Sequence, residues 1–262
     1  MRVATFNMQH GRAPRGSDDW GRAPDAESLI ALADQLRRLE IDVLCLQEVD
    51  QGQSRSAGLN QSEILARELG LDHYRFAAFF QGFVGGLRKQ PKRSDAAGRM
   101  AFGIATLSRF PVSSWHVHPM RRPLPAVRLQ RGSLRRPGTF VRFVDTTRTL
   151  LAAVVEAPGG PVAVANTHLT LERVVARRQL RDVTRSVSQL PEPLLLVGDL
   201  SLGPEEVVEA TGMNALVSEF SYPAQDPRRQ PDQILGSDSV EASASGAKVM
   251  RASDHRLLWV DI

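Results

Sequence analysis

Short apolar runs that each stop on a polar cluster organise this chain. The run from Arg2 closes on Thr5-Phe6-Asn7, and the run from Ile41 closes on Gln47-Glu48-Val49-Asp50. Another run closes on Asn166-Thr167-His168, and the one from Pro193 closes on Gly198-Asp199-Leu200-Ser201. Asp232-Gln233-Ile234-Leu235 opens a later run, and Ser253-Asp254-His255 immediately precedes the last one. Runs of this length read as buried strands. Side chains at strand ends can converge on one rim of a sheet sandwich, where a rigid scaffold holds them.

Helical spacing separates some of these runs. Asp25-Ala26-Glu27-Ser28 opens an apolar pattern through Leu29, Ile30, Leu32, Ala33 and Leu36, with an acidic first turn. Asn60 to Leu69 reads as a second helix stopped by Gly70. A third covers 171–189 with Leu171, Val174, Val175, Leu180, Val183 and Val187 on its apolar face, and a short fourth covers 204–210. Further strands are expected near 74–79, 101–107, 112–118, 140–145, 150–156, 161–166, 232–236 and 256–261. Residues 11–24 and the Gly- and Lys/Arg-rich 81–99 read as loops. More strands than helices, with no clear linker between halves, predicts an α/β (α+β) protein, and its length allows one large domain or two small ones.

Composition excludes several classes. No run approaches the roughly 18 apolar residues of a membrane span, and the first residues lack a signal-peptide core. The expectation is a soluble, cytoplasmic monomer. One cysteine, Cys45, excludes an internal disulfide and a multi-cysteine zinc site, and its apolar run predicts an inert core thiol. The net charge of +4 is mild, but seven arginines and no acidic residue lie between Arg121 and Arg142. That stretch is either a solvated loop or a contact for an anionic substrate.

The strand-end inventory of Asn7, Glu48, Asp199, Asp232, Asp254, His168 and His255 contains no thiolate. Such a set favours hard cations, Mg²⁺ or Mn²⁺, over structural zinc. In order and type it resembles the endonuclease/exonuclease/phosphatase superfamily of DNase I-like phosphoesterases, across nearly the whole chain. The resemblance implies a four-layered α/β/β/α sandwich with two mixed sheets face to face, as one domain over 1–262. It also implies roles. Glu48 matches the principal metal ligand, with Asn7 and Asp254 beside it on metal or phosphate. His255 matches the histidine that is general base or phosphate ligand, Asp232 its orienting partner, and Asp199 the aspartate that positions the attacking water. His168 matches a phosphate contact that can assist the leaving group.

Two positions depart from the family pattern. Ser201 stands where Gly-Asp-x-Asn has its asparagine and offers the phosphate a lesser donor, which leaves slower chemistry, a substitute donor such as Asn166, or a shifted substrate pose. Ile104 replaces an asparagine in the central Gly-x-Ala-x-Leu-Ser-Arg strand. His10, three residues beyond Asn7, could also face the site.

The expected activity is Mg²⁺-dependent hydrolysis of phosphate esters, foremost of diesters, on a nucleic acid, a lipid headgroup or a small molecule. The Arg121–Arg142 stretch leans towards a polyanion, and the lack of an anchor or exposed apolar helix leans away from bilayer lipids. The alternative is a catalytically impaired phosphate- or nucleic-acid-binding protein on the same scaffold.

Overall fold

In the computed structural model, residues 1–86, 88–89, 99–120, 126–130, 139–143 and 147–262 are described. The chain runs β1 (Arg2–Asn7), α1 (Ala26–Arg37), β2 (Val43–Gln51), α2 (Gln61–Leu69), β3 (His73–Gly82), β4 (Arg88–Lys89), β5 (Ala101–Ser108) and β6 (Val112–Pro119). It continues through β7 (Ala126–Gln130), β8 (Thr139–Phe143), β9 (Thr149–Ala157), β10 (Gly160–His168), α3 (Arg173–Val187) and β11 (Leu194–Asp199). Last come α4 (Pro204–Thr211), β12 (Asn214–Ala215), β13 (Asp232–Gly236), β14 (Ala244–Lys248) and β15 (Leu257–Asp261).

Two mixed sheets result, in the orders β14-β15-β1-β2-β5-β3-β4 and β12-β13-β11-β10-β9-β6, with β7 and β8 paired separately. Alternation along the strands makes the layers, because successive side chains point to opposite faces. In β1 and β2, Val3, Val43 and Cys45 face inward with Leu258 and Val260 against Val155, Val164, Leu195 and Val197 of the other sheet. Ala4, Phe6, Leu44 and Leu46 face outward and are covered by Leu29, Leu32, Ala33 and Leu36 of α1. On the far side, Ala163, Ala165, Leu194 and Leu196 lie under Ala176, Leu180 and Val183 of α3. The expected four-layered sandwich is present, with few helices.

The helix starts follow local chemistry. The Asp25 carboxylate accepts from Ser28 N at 2.9 Å while Ser28 Oγ accepts from Asp25 N at 2.9 Å, a reciprocal capping box. Gly70 ends α2 with φ 64°, as expected of a left-handed stop. Cys45 is fully buried, and burial pushes its thiol up to about 12, so it is an inert core residue.

Three expectations shift. The third helix starts at Arg173, because the Glu172 carboxylate caps Val175 N at 2.9 Å. Leu171, read as part of the apolar face, therefore stands outside the helix and is 82% exposed. Strand β14 was not expected, since Ala-Ser-Gly-Ala-Lys has little strand character and is held by pairing along β15. In 81–99, Gly82 and Gln81 pair with Arg88 and Lys89, while residues 87 and 90–98 lie outside the described residues. Of the Arg121–Arg142 stretch only the backbone pairing of β7 with β8 is described, so its proposed contact with an anion is outside the described residues. Among the described residues no helix is long and apolar enough to cross a membrane.

Candidate active site

Strand direction gathers the polar clusters. β1 and β2 are parallel, as are β10 and β11, so all four end on one rim, where antiparallel β13 and β15 begin. His168 is the Cα partner of Asp199, and Asp199 is the partner of Asp232. Asn7, Glu48 and His255 meet them from the other sheet. Gly198 permits the tight approach: its φ is 137°, and a Cβ there would lie 1.9 Å from the Thr167 carbonyl oxygen.

Glu48 owes its position to a bulge. Between Leu46 opposite Ala105 and Val49 opposite Gly103, β2 carries one residue more than β5. Glu48 sits in that bulge with φ 56°, in the left-handed region that a glutamate rarely adopts. Asn7 Nδ2 donates to Asp199 Oδ2 at 3.0 Å and reaches Glu48 Oε1 at 3.4 Å, while its Oδ1 accepts from Gln9 N at 3.1 Å. Burial, and then the neighbouring Asp199 carboxylate, push the Glu48 carboxyl above its ordinary value.

The second half of the site is a relay. His255 Nδ1 lies 2.7 Å from Asp232 Oδ2, which also accepts from Ser221 Oγ at 2.5 Å. The Tyr222 ring packs on the imidazole at a centroid distance of 4.8 Å. Burial alone would lower the His255 pKa, but the Asp232 carboxylate, helped by Asp199 and Asp254, holds it up at about 10. At neutral pH this ring is an imidazolium. Its Nε2 faces Asp254 Oδ1 at 3.9 Å and Asp199 Oδ2 at 4.0 Å.

His168 is the opposite case. Burial, and then the positive charge of Arg148, push it down to about 3, so it is a neutral ring whose Nε2 lies 3.5 Å from Asp199 Oδ2. Burial would raise Asp199 in turn, but the two histidines, the Asn7 amide and the Ser201 N–H together hold its carboxyl below the ordinary value.

Ser201 and Asn166 both have partners within the protein. Ser201 Oγ donates to Asp199 Oδ1 at 3.2 Å and to Leu169 O at 3.3 Å, with its N–H on Asp199 Oδ1 at 2.9 Å. Asn166 is fully buried below the rim. Its Nδ2 donates to Ala105 O at 2.9 Å and its Oδ1 accepts from Gln47 Nε2 at 2.9 Å, so it bridges the two sheets. Ile104, likewise, is a fully buried core residue. His10 has φ 49°, and burial and then Arg55 push its pKa down to about 3.

The sequence reading missed Ser221, Tyr222 and Arg148. Ser221-Tyr222 sits in an irregular loop with no motif, and Arg148 is one arginine among many. Only the fold puts Ser221 on Asp232, Tyr222 against His255, and the buried Arg148 near Glu48 and His168.

The donor set fits a hard divalent cation. Glu48, Asp199, Asp232 and Asp254 face one imidazolium and one guanidinium, which leaves an excess of two negative charges at a largely buried site. Asp199, Asp232 and His255 do bring one donor atom each within 4.8 Å of one another. However, the Asp232 oxygen nearest His255 is already spent on that ring and Ser221. Glu48, with its weak 3.4 Å contact to Asn7, is the better-placed carboxylate for a cation.

The fold has known relatives. The model of the endonuclease/exonuclease/phosphatase family matches residues 4–255. A crystal structure of an endonuclease/exonuclease/phosphatase from Beutenbergia cavernae superposes with TM-score 0.67 at 21% identity, covering 99% of this chain and 70% of that one. A mannosyl-6-phosphatase from Bacteroides thetaiotaomicron gives TM-score 0.62 at 15% identity, covering 100% and 98%. Sphingomyelinase C from Streptomyces griseocarneus gives 0.55 at 16%, covering 99% and 98%. No curated protein matches.

Proposed function

The chain belongs to the endonuclease/exonuclease/phosphatase family, and on that basis we propose that it is a Mg²⁺-dependent hydrolase of phosphate esters, acting foremost on diesters. One observation carries the reading: Asp199 Oδ2 takes the Asn7 amide at 3.0 Å and lies 3.5 Å and 4.0 Å from the two histidine Nε2 atoms. Hydrolysis of a phosphate ester needs an oriented water, donors for the charge on the phosphoryl oxygens, and neutralisation of that charge.

Glu48, with Asn7 and Asp254 beside it, is the group that would hold Mg²⁺ or Mn²⁺. The cation supplies charge neutralisation and Lewis-acid polarisation of the phosphate when bound. Asp199 holds the attacking water and takes its proton as the new P–O bond forms and the ester P–O bond breaks. Asn7 and Ser201 fix that carboxylate on both oxygens.

His255, charged and tethered by Asp232, donates from Nε2 to a phosphoryl oxygen rather than acting as the base. A buried carboxylate 2.7 Å away stabilises the imidazolium. His168, neutral, donates from Nε2 on the other side, and the departing oxygen takes its proton from solvent.

Mg²⁺-dependent release of p-nitrophenolate from bis-p-nitrophenyl phosphate, abolished by EDTA and by Glu48→Gln, tests the reading. The turn of Ser201 Oγ onto Asp199 favours a second one, phosphate binding without turnover. Retained phosphate binding, with no hydrolysis under Mg²⁺ or Mn²⁺, would select it.

A further inference from the structure

Six of the nine large apolar side chains left exposed among the described residues stand on the rim around the site; Ile30, Tyr74 and Val249 are the others. Leu171, 82% exposed, is three residues beyond His168, in a segment anchored by Leu169 N donating to Asp199 O at 2.9 Å. Val174 follows in the first turn of α3. Phe220, 54% exposed, adjoins Ser221, which holds Asp232. Trp20 lies under the Arg12 guanidinium at 4.2 Å, and Arg12 O accepts from Ser253 N at 2.6 Å, two residues before His255. Phe83 and Met100 flank the contact from Gly82 N to Met100 O at 2.7 Å, where β5 begins opposite the end of β2.

An apolar ring around a polar floor marks a surface made to be covered. Resting on the phosphoesterase reading, we propose that Trp20, Phe83, Met100, Leu171, Val174 and Phe220 dock the protein on a phospholipid surface. The site would then draw lipid phosphate esters from that interface.

A phospholipid surface is the occupant that brings an apolar phase to the rim and a phosphate ester to the floor together. Exposed Arg88, Lys89 and Arg99 beside Phe83 and Met100 suit anionic headgroups. A polynucleotide fits less well. Leu171, Val174 and Met100 have no flat π face on which a base could stack, and Arg173 and Arg177 beside them are paired with Glu206. A second copy of the chain would seal the mouth of the site.

The lean away from bilayer lipids rests on the absence of an anchor or an exposed apolar helix. The apolar side chains lie instead on separate loops and one helix turn, where no helical periodicity reveals them.

The test is co-sedimentation with phosphatidylcholine vesicles, with and without phosphatidylglycerol, using the Glu48→Gln protein so that the vesicles are not consumed. Wild type and variants are assayed in parallel on the soluble diester. We expect vesicle binding that Leu171→Glu/Phe83→Glu weakens at least about tenfold. Turnover of the soluble diester should stay within about twofold, since neither side chain touches the reacting groups. Leu171→Glu alone, at a position already exposed, keeps the test open if the double variant does not fold.

No vesicle binding alongside normal turnover of the soluble diester overturns the docking surface and leaves the activity standing. Vesicle binding that needs Leu171, without turnover of any ester, sinks the activity and keeps the surface. Salt-sensitive DNA binding that displaces vesicles, or a dimer dissolved by Leu171→Glu, overturns the lipid assignment.

Discussion

The Asn7 side-chain amide lies 3.0 Å from Asp199 Oδ2 and 3.4 Å from Glu48 Oε1, so one neutral group joins the carboxylates of two different sheets. The amide stands between the two acids as a shared donor. Removing it should therefore be felt in chemistry before folding. Asn7→Ala is expected to lower kcat about 10²–10³-fold, in the range for losing a preorganised donor, and to raise the Mg²⁺ concentration for half-maximal rate. Steady-state kinetics across a Mg²⁺ titration check this. An unchanged kcat would remove Asn7 from the site.

Glu48→Gln should abolish turnover and weaken Mg²⁺ binding, yet raise the Tm of the metal-free protein. Its carboxyl is pushed up by burial and by Asp199, so the ionised form is held at a cost that the amide avoids. Calorimetric Mg²⁺ titration and thermal melts in EDTA read the two effects separately. A lower Tm would mean that Glu48 has a structural partner beyond Asn7.

For the His255–Asp232 pair, His255→Ala is expected to lower kcat at least about 10²-fold, and Asp232→Asn by less, because Asp232 only holds the ring. Stability carries a second sign. A folded pKa near 10 against an ordinary 6.5 means that the folded state binds the extra proton between those values. The pair's stabilisation is full below about pH 6.5 and is lost as pH rises towards 10. Asp232→Asn should flatten that alkaline limb in urea melts taken at stepped pH.

His168 and His10 predict an acid limb of opposite origin. Both are pushed down to about 3 in the folded protein, by burial first and then by nearby arginines. The unfolded chain takes up their protons below about pH 6.5, so stability present above that pH falls as pH drops towards 3. His10→Gln should remove part of the slope while leaving turnover intact. A slope unchanged in that variant would place the acid sensitivity elsewhere.

Ser201→Asn is expected to lower kcat. Ser201 has φ 56°, which asparagine tolerates, so the fold should accept the change without loss of Tm. The longer amide, however, replaces a hydroxyl that holds Asp199 Oδ1 at 3.2 Å, and it enters the space beside the reacting water. A gain in kcat at constant KM would show instead that the serine leaves the phosphate under-served.

The strand ends were readable because their cause is local. Apolar runs give way to polar clusters, which puts Asn7, His168 and Asp199 at strand ends, Asp232 at a strand start, His255 just before one, and Glu48 near the end of β2. The layers were readable for the same reason, through the period-2 and helical patterns that bury Val3 inward and Leu29 outward. What the sequence could not reveal depends on partners far away along the chain. Glu48 turns into the site only because β2 gains a bulge against β5. Asn166 spends its amide between sheets because Gln47 and Ala105 come within reach. Ser201 bonds to Asp199, Ser221 braces Asp232, and Leu171 falls outside its helix once Glu172 takes the cap. Local spacing determines which residue types arrive at the rim. Their protonation and their bonds are decided by burial and by neighbours that only the closed sandwich brings together, which is why His168 and His255, both strand-end histidines, carry opposite charge states.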